Sequence, residues 1–352
     1  MTLTVIVPVY NRSSDLSRCL AALASSSRRA DEVIVVDDGS SDDSIAVARQ
    51  AGARVIQVAD GPRGPANARN RGAEAATGTV LVFLDSDVLV HADSLARIET
   101  TFQQKPGLSA LFGSYDDCPP DRGVISRYKN LLHHFTHQNS RREATTFWAG
   151  CGAVDRLAFA SCGGFDESYQ QPSIEDIELG ARMVQMGMLV WSCPEILCTH
   201  LKRWTFSNLV RTDIFQRALP WSRLIRSHRS LPNDLNLGWA SRLSAAAAWI
   251  LIGSLFACLF TSWAVLTGGA AAALILACNA GLFQFFKQTE GLRFTGWAFS
   301  LHTFYLLYSS LVFAMVVGPS TLSRSKVQAE RPSTIGSTGV FEPRPNLAVD
   351  VR

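Results

Sequence analysis

The sequence predicts an α/β domain with a mostly parallel β-sheet, followed by an all-α region that crosses a membrane. Over the first 230 residues, short apolar runs alternate with helical stretches, which is the pattern of a parallel sheet covered on both faces. After Leu243 the chain carries long stretches without charge. We therefore divide the 352 residues into an α/β domain over 1–230, membrane helices over 243–318 and a disordered tail over 319–352.

Four strands and four helices are predicted in the first half of the α/β domain. The strands are short apolar runs, each followed by polar residues: Val5–Val9, Val33–Val36, Arg54–Val58 and Val80–Leu84. The helices lie between and after them: Ser13–Leu23, Asp42–Ala51, Ala66–Ala76 and Asp93–Gln103. In such sheets ligands bind outside the carboxyl ends of the strands, so we expect the polar residues that follow the strands to gather at one edge.

The fourth strand ends in two carboxylates, Asp85 and Asp87. Alternate residues of a strand point to the same face, roughly 6–7 Å apart, so the two side chains can converge on one ligand. Oxygen donors at the edge of a sheet suit Mg²⁺ or Mn²⁺. The alternative is a solvated turn, because Asp and Ser are favoured there.

Other known uses of an acidic sheet edge fit the sequence less well. A dinucleotide-binding fold requires G-x-G-x-x-G after the first strand, and residues 8–13 lack it. A phosphatase of the haloacid dehalogenase type would use Asp85 as its nucleophile. In those enzymes the motif follows the first strand, whereas three strand-helix units precede Asp85 here. The phosphatase remains a minor alternative.

Two uncharged stretches have the length of membrane helices. Between Leu243 and Phe286 there is no Asp, Glu, Lys, Arg or His, and between Phe294 and Leu322 only His302 interrupts the run. About 20 apolar residues span a bilayer, so the first stretch fits two helices and the second fits one. A buried helical hairpin of a soluble protein is the alternative.

We predict the three membrane helices near 243–266, 270–286 and 297–318, with the first two hinged at Thr267-Gly268-Gly269. Tryptophans fall near the predicted ends, as in an interfacial aromatic belt: Trp239, Trp249, Trp263 and Trp297. Before these helices, residues 200–230 are rich in basic and aromatic residues, with a break at Pro220. We expect this basic segment to lie on an anionic membrane surface; a solvated helix face is the alternative.

The α/β domain is expected in the cytoplasm, in an integral protein of a bacterial-type inner membrane. The chain starts with a strand-like run, and no basic segment leads an apolar stretch there, which argues against a secretory signal. The eight cysteines show no paired spacing, so we expect reduced thiols rather than disulfides or zinc ligands. A net charge of +3 is too small to indicate nucleic acid as a partner.

Six pieces of the sequence, over about residues 3–230, resemble the family 2 glycosyltransferases of the GT-A fold, which is Rossmann-like. They occur in the order of that family: Val5–Asn11, Glu32–Asp42, Gly64–Asn70, Phe83–Asp87, Gly163–Glu167 and Glu175–Leu179. His200-Leu201-Lys202-Arg203-Trp204 resembles the Gln-x-x-Arg-Trp motif of the processive, cellulose-synthase-like branch. Histidine replaces glutamine here, which argues against processive synthesis.

The resemblance implies a binding site for a nucleotide-sugar donor. Its expected contacts are Pro8, Tyr10, Asn11, Asp38, Arg69, Asp85 and Ser86. Asp38 would read an N–H of the base, while Asp37 would cap a turn or helix. Arg69 would meet diphosphate oxygens; the alternative is an exposed helical arginine.

The resemblance also implies a metal site and a general base. Asp87 would be the direct ligand of Mg²⁺ or Mn²⁺, Asp85 would touch ribose or metal, and His200 would be a further ligand. A structural role is the alternative for His200. Asp176 would take the proton from the acceptor hydroxyl in a single inverting displacement; the alternative for the Glu175-Asp176 pair is a favourable interaction with the helix dipole.

Five residues are implied in contacts with the acceptor or diphosphate: Trp148, Gly150, Glu175, Arg203 and Trp204. The segment Thr145–Gly152 is predicted as a strand whose small residues allow close approach. Trp204 would stack on an acceptor sugar, and Arg203 would clamp the diphosphate.

The expected function is transfer of a sugar, from a UDP-sugar first and a GDP-sugar second, to a hydroxyl of a lipid or lipid-linked glycan. The rival of another class is a non-catalytic membrane scaffold with the same fold. It would be expected to lack a metal acid or the base, whereas Asp85, Asp87 and Asp176 are all present.

Overall fold

The computed structural model describes residues 1–59, 61–228 and 238–329. Within these residues, an α/β domain built on an eight-stranded sheet is followed by three apolar helices. Residues 229–230 of the predicted basic segment and 330–352 of the predicted tail lie outside the described residues.

The first half of the sheet confirms the predicted alternation of strands and helices. Its strands are mutually parallel, in the order β3-β2-β1-β4: β1 (Leu3–Val9), β2 (Glu32–Asp37), β3 (Arg54–Gln57) and β4 (Val80–Leu84). The helices that connect them are α1 (Ser13–Ala24), α2 (Ser44–Gln50) and α3 (Pro65–Ala75). Because these strands are parallel, the loops that follow β1, β2 and β4 lie at one edge.

The second half extends the sheet beyond β4 in the order β7-β6-β8-β5. Its strands are β5 (Val88–Val90), β6 (Leu108–Tyr115), β7 (Cys151–Asp155) and β8 (Leu189–His200). The helices among them are α4 (Ser94–Gln104), α5 (Val124–Gln138), α6 (Arg156–Ser161) and α7 (Glu175–Gln185). β7 is antiparallel to both of its neighbours and β5 is antiparallel to β8, so the sheet is mixed but mostly parallel.

The strand predicted over Thr145–Gly152 is wrong over most of its length, because β7 begins only at Cys151. The preceding residues form a loop that packs on α7 instead of joining the sheet. Its Ala149 N–H donates to the side chain of Asp176 at 3.1 Å. The ring of Trp148 folds back so closely that a Cβ on Gly150 would lie 2.6 Å from it.

The two faces of the sheet carry separate apolar cores. Val5 and Val7 of β1 belong to one core, with α1 and α4, whereas Ile6 belongs to the other, with α3, α6 and α7. This division follows from the alternation of side chains along a strand. Both faces are therefore covered, as the uninterrupted apolar strands predict.

A third apolar core joins the α/β domain to the C-terminal helices. Tyr128 and Leu131 of α5 are buried in it together with Ala247, Ile275 and Phe286 of the apolar helices. An ion pair between Arg127 and Glu290 borders the same contact. The helices are thus packed against the α/β domain through α5.

The apolar helices are α10 (Trp239–Ala257), α11 (Trp263–Cys278) and α12 (Ala280–Ala329), with a break in α12 at Gly291. The predicted boundaries differ from these. The first helix ends at Ala257 rather than near residue 266, and the predicted hinge at Thr267-Gly268-Gly269 lies inside α11. Gly268 serves close packing of α11 on α10, because a Cβ there would lie 3.2 Å from the side chain of Ser254.

Two of these helices, Trp239–Ala257 and Ala280–Gly318, are long and apolar enough to cross a membrane, and Trp263–Cys278 is shorter. The predicted start of the last span near residue 297 is replaced by the break at Gly291, where φ is +83°. The backbone of 319–329 is helical, where the sequence predicts a disordered tail.

From residue 206 to residue 228 the basic segment is a continuous helical run. It consists of α8 (Phe206–Arg211), a π-helical stretch (Thr212–Ala218) and α9 (Leu219–His228). The predicted break at Pro220 is not seen. Proline lacks an N–H and crowds the preceding turn, and the wider π-helical stretch just before it accommodates both effects.

We expect Gly180→Ala to destabilise the protein, because a Cβ at Gly180 of α7 would lie 2.0 Å from the backbone nitrogen of Phe147. Overpacking of this kind costs about 1–3 kcal/mol. The measurement is thermal unfolding of the purified full chain in detergent. Gly253→Ala is the matched control, since this helical glycine faces open space. Equal melting temperatures for the two variants would contradict the expectation.

Candidate active site

The loops after β1 and β2 are tied together at the carboxyl edge of the sheet. Asn11, whose φ is +51°, accepts the Ser41 N–H with its Oδ1 at 2.7 Å, and its own N–H donates to Ser40 Oγ at 2.9 Å. Tyr10 is 48% exposed beside this junction, and Pro8 lies near the end of β1. Tyr10 and Asn11 thus lie on one ordered turn, and Pro8 lies in the strand that leads into it.

Both acids that end β2 make hydrogen bonds to backbone groups. Asp37 accepts the Ser40 N–H at 3.2 Å, which confirms its predicted role in the turn. Asp38 accepts the N–H groups of Arg63 and Gly64, each at 2.8 Å, although burial raises the pKa of its carboxyl group. Asp38 therefore fixes the start of α3, and its contact with a base stays a prediction.

The buried guanidinium of Arg69 links two acids. Its Nη1 donates to Glu175 Oε1 at 2.8 Å, and its Nη2 donates to Asp85 Oδ1 at 2.7 Å. Arg69 is 5% exposed and lies 5.4 Å from the centre of the Phe165 ring. The alternative of an exposed helical arginine is therefore wrong, and the contact of Arg69 with a diphosphate stays a prediction. A charge so far from water requires paired opposite charges.

Asp85 and Ser86 lie in the turn between β4 and β5. The Asp85 N–H donates to the carbonyl of Gly150 at 3.2 Å, which places this glycine beside the acidic turn. The Asp85 side chain is one-third exposed in spite of its pairing with Arg69, whereas Ser86 is almost buried. Asp85 thus remains reachable from the edge of the sheet.

Asp87 and His200 face each other at the end of the same turn. Antiparallel pairing of β5 with β8 sets Val88 opposite His200, and Asp87 Oδ2 lies 3.7 Å from His200 Nε2. Burial acts to raise the pKa of Asp87, but His200 and the nearby Lys202 and Arg12 lower it to about 2. Asp87 is therefore a carboxylate at every pH at which the protein would work.

The pair fits a divalent cation held by two protein ligands. The 3.7 Å between Asp87 Oδ2 and His200 Nε2 is too long for a hydrogen bond. It is shorter than about 4.2 Å, which is twice a typical Mg²⁺–ligand bond, so one cation can touch both atoms. Among the described residues, no three His, Cys, Asp or Glu side chains are grouped to hold a metal ion. The remaining positions would go to water and phosphate oxygens, as is usual for Mg²⁺.

Asp176 has the properties of a proton acceptor near neutral pH. It lies in the first turn of α7, where its Oδ2 accepts the Ala149 N–H at 3.1 Å. Burial and the adjacent negative charge of Glu175 raise its pKa to about 7, although Arg69 acts in the opposite direction. Glu175 itself is held by Arg69 and by the Ser173 N–H at 2.8 Å. Glu175 is therefore an ion-pair partner of Arg69, whereas Asp176 has a pKa suited to proton transfer.

The predicted role of Trp204 in stacking on an acceptor is wrong. Trp204 is 4% exposed, and the Lys202 ammonium lies 4.1 Å from its ring centre. Arg203, in contrast, has an 80% exposed side chain and only a 3.4 Å ion pair with Asp121. Trp148 is half-buried, with its ring edge-to-face on Tyr115 at 4.7 Å between centres. Trp148 thus packs on Tyr115, the residue whose ring stacks on His200.

The comparison with known protein families decides the identity of this region. Residues 4–162, which include the loops after β1, β2 and β4, match the family model of glycosyl transferase family 2. This region is a family 2 glycosyltransferase domain. The mixed α/β, Rossmann-like fold expected from the sequence is thereby confirmed.

Curated relatives of the family 2 domain are similar over part of their length. Glycosyltransferase AglE of Haloferax volcanii is 34% identical over 137 residues, covering 37% of this chain and 45% of that protein. A PGL/p-HBAD biosynthesis glycosyltransferase of Mycobacterium bovis is 37% identical over 161 residues, covering 44% and 54%. A pre-mycofactocin glycosyltransferase of Mycobacterium tuberculosis is 32% identical over 222 residues, covering 60% and 45%. The chain spans about half the length of the curated relatives it matches.

A solved structure resembles this chain over most of its length. It is a mannosyltransferase from Pyrobaculum calidifontis in complex with GDP-Man and Mn²⁺, with a TM-score of 0.56 and 21% sequence identity. The likeness covers 88% of this chain and 86% of that one. At this identity it establishes a shared fold, including helices beyond the family 2 domain.

Sequence reasoning missed the part of the site that α5 and β6 contribute. Tyr115 of β6 stacks on the imidazole of His200, with ring centres 4.4 Å apart, and Asn130 of α5 lies 2.9 Å from His200 Nδ1. Neither residue belongs to a recognised motif. The available signal was the pair Lys129 and Asn130, which interrupts the apolar face of a helix between Tyr128 and Leu131.

We expect Arg69→Met to destabilise the protein strongly, because it leaves Asp85 and Glu175 without their shared counter-charge. Removal of one member of a buried ion pair costs about 3–5 kcal/mol. Arg71→Met on the same helix is the control. Arg71 is exposed and pairs with Glu74 at 3.2 Å, and such surface pairs contribute about 0–1 kcal/mol. Chemical unfolding of both variants measures the difference, and similar stabilities would contradict the central role of Arg69.

Proposed function

We propose that this protein is a membrane-anchored, metal-dependent, inverting glycosyltransferase that acts on a lipid or lipid-linked glycan. The observation that carries the proposal is the chain of contacts from Asp176 through Glu175 and Arg69 to Asp85. It joins a carboxyl group with a pKa of about 7 to the edge of the sheet where Asp87 and His200 face each other. Asp176 is suited to proton transfer and Asp87 to metal binding.

The donor would bind across the loops after β1, β2 and β4. Asp87 and His200 would hold Mg²⁺ or Mn²⁺, which when bound neutralises the diphosphate leaving group. The turn at Tyr10 and Asn11 would lie along the base. UDP-sugars are the first choice of donor and GDP-sugars the second. The complex of the Pyrobaculum mannosyltransferase with GDP-Man and Mn²⁺ supports including GDP-sugars and a divalent cation in the test.

Asp176 would act as the general base. Asp85 and Glu175 are neutralised by Arg69, whereas the Asp176 carboxylate accepts backbone N–H groups that orient it. A base with a pKa near the working pH combines the ionised form with a useful affinity for the proton. The acceptor oxygen would attack the anomeric carbon on the side opposite the diphosphate, so a single displacement inverts the configuration.

The acceptor would arrive from the side of the basic segment. A cavity of about 300 Å³ opens there beside the loop that precedes α7, lined by Gln171, Pro172, Ser173, Arg211, Phe215 and Gln216. Ser173 is two residues before Glu175, and its hydroxyl donates to the carbonyl of Gln216 at 3.1 Å. Phe215 is 62% exposed. The guanidinium of Arg211 and the exposed ring of Phe215, close to the proposed base Asp176, suit an amphipathic acceptor at a membrane surface.

The apolar helices would anchor the protein in the membrane, with the catalytic domain in the cytoplasm. Only 22% of the apolar window in Trp239–Ala257 and 28% of that in Ala280–Gly318 is buried inside the protein. Large apolar side chains therefore face outward, among them Leu255, Phe256 and Leu311. The core helices of a soluble protein would be mostly buried, which makes the alternative of a buried hairpin less favourable.

Activity with a panel of donors tests the proposal. The full chain, purified in detergent, is incubated with UDP- and GDP-sugars, extracted membrane lipids and Mn²⁺ or Mg²⁺. We expect transfer with inverted anomeric configuration by NMR, loss of transfer with a chelator and recovery with Mn²⁺. Asp87→Ala should not recover, whereas the exposed Asp117→Ala should behave like the wild type. If the protein shows no sugar transfer and no cation-dependent hydrolysis of the donor, the non-catalytic scaffold is favoured.

A phosphatase reaction is a distinct outcome of the same preparation. It would require Asp85 to act as a free nucleophile, but Asp85 is paired with Arg69 at 2.7 Å. Release of phosphate from simple phosphate esters, lost in Asp85→Asn, would favour that reading over sugar transfer.

We expect Asp176→Asn to lower the transfer rate by about 10²–10⁴-fold, because a general base contributes that much. The wild-type rate should rise with pH through about 7 and then level off, since Asp176 must be ionised. Glu178→Gln on the same helix is the control and should keep this pH profile. A wild-type rate that is flat between pH 5 and 8 would contradict the assignment.

The same variant has a second, opposite effect on stability. The pKa of Asp176 is raised on folding from an ordinary value near 3.8 to about 7, so the folded state loses stability as pH rises between these values. Asparagine does not ionise, so the Asp176→Asn variant does not lose stability in this way. The melting temperature of Asp176→Asn should therefore exceed that of the wild type by a margin that grows from pH 4 to 7.

A further inference from the structure

Helix α5 carries two adjacent polar residues that the proposed reaction does not use. Lys129 and Asn130 are 3% and 2% exposed, on a helix whose neighbouring residues enter the third apolar core. Buried polar groups are costly unless they are hydrogen-bonded, and buried charges unless they are paired. Their partners therefore indicate what this part of α5 does.

Asn130 makes its hydrogen bond to the candidate metal ligand. Its Oδ1 lies 2.9 Å from Nδ1 of His200, so the imidazole donates Nδ1–H to the amide oxygen. In this tautomer Nε2 carries a lone pair, and Nε2 is the atom that faces Asp87 Oδ2. The other tautomer would place a hydrogen on Nε2 and prevent it from binding a cation.

The plane of the His200 ring is fixed by a second contact. Tyr115 stacks on it with ring centres 4.4 Å apart and an angle of 7° between the planes. Tyr115 is itself buried, so the imidazole has little room to turn. With the ring plane set by Tyr115, the hydrogen bond to Asn130 decides which nitrogen is presented to Asp87.

Lys129 joins α5 to the basic segment through a buried ion pair. Its ammonium lies 2.6 and 2.8 Å from the two carboxylate oxygens of Asp213 in the π-helical stretch. Asp213 also accepts the hydroxyl of Tyr308, on α12, at 2.7 Å. All three side chains are buried. The residue next to Asn130 is therefore bonded to the basic segment and, through Asp213, linked to an apolar helix.

We propose that Asn130 is a positioning residue that selects the metal-binding tautomer of His200, and that the Lys129–Asp213–Tyr308 cluster fixes Asn130 relative to the apolar helix α12. The proposal rests on the proposed metal site at Asp87 and His200. Hydrogen-bond partners of metal-binding histidines typically change metal affinity by about 10–100-fold when they are removed.

Two substitutions of Asn130 distinguish its role as an acceptor from a general role in packing. Asn130→Asp keeps an oxygen acceptor, and it sacrifices no other contact because Asn130 Nδ2 has no hydrogen-bond partner among the described residues. Asn130→Leu has a similar size but accepts no hydrogen bond. A purely structural residue would respond to the two changes alike.

The experiment measures Mn²⁺ binding by the full chain in detergent, with UDP or GDP present, from the electron paramagnetic resonance signal of free Mn²⁺. We expect binding by the wild type and by Asn130→Asp, a loss of affinity of about 10–100-fold for Asn130→Leu, and no binding by Asp87→Ala. Tyr308→Phe should weaken binding in the same direction. Ser309→Ala is its matched control, since the Ser309 hydroxyl contacts the Leu306 carbonyl of its own helix.

Each other outcome has a definite meaning. Normal Mn²⁺ affinity in Asn130→Leu overturns the proposal, and so does a folded Asn130→Asp variant that loses Mn²⁺, because Asn130 would then act as a donor. Normal affinity in Tyr308→Phe overturns the part that concerns α12. If the wild type binds no Mn²⁺ and Asp87→Ala retains full transfer activity, the metal site of the proposed function fails as well. If Asp87→Ala is the only variant that loses Mn²⁺ binding, the proposed metal site is supported and only the role of Asn130 fails.

Discussion

The ion pairs of Arg69 are the interaction on which the rest of the site depends. One guanidinium from α3 holds an acid at the end of β4 and an acid at the start of α7, so it ties three elements together away from water. Without it, Asp85, Glu175 and Asp176 would repel one another in a small volume, and protonation would relieve the repulsion. The guanidinium contacts Asp85 and Glu175 directly, whereas burial and the charge of Glu175 raise the pKa of Asp176.

The part of the fold that was predictable from the sequence is the part set by local patterns. β1 and β4 are runs of β-branched and other apolar residues, and their burial on both faces leaves few polar interruptions. β5 has only three residues, and β7 is placed by antiparallel pairing with β4 and β6, so local periodicity carries little information about either. The glycines near β7 and in α11 were interpreted as strand and hinge signals, but their reason is close contact with Trp148 and Ser254.

The candidate site was predictable to a similar extent. Asp87, His200 and Asp176 lie in short motifs, and the structure brings His200 to within 3.7 Å of Asp87. Their partners come from elsewhere in the chain: Asn130 is 70 residues before His200, and Arg69 is 106 residues before Glu175. Such pairings are decided by the packing of α5, α3 and α7, which a motif does not encode. Trp204 was misjudged for the same reason, since its backbone N–H donates to Ser126 of α5, which lies 78 residues earlier in the chain.

The third apolar core joins the α/β domain and the apolar helices into one packed unit within the described residues. Tyr128 and Leu131 are buried only because Ala247, Ile275 and Phe286 cover them. A chain truncated before α10 would present this face of α5 to solvent as a contiguous apolar patch, and such patches promote aggregation. Production of the α/β domain alone would therefore require redesign of this face of α5, and substitutions in the apolar helices are constrained by the domain that they cover.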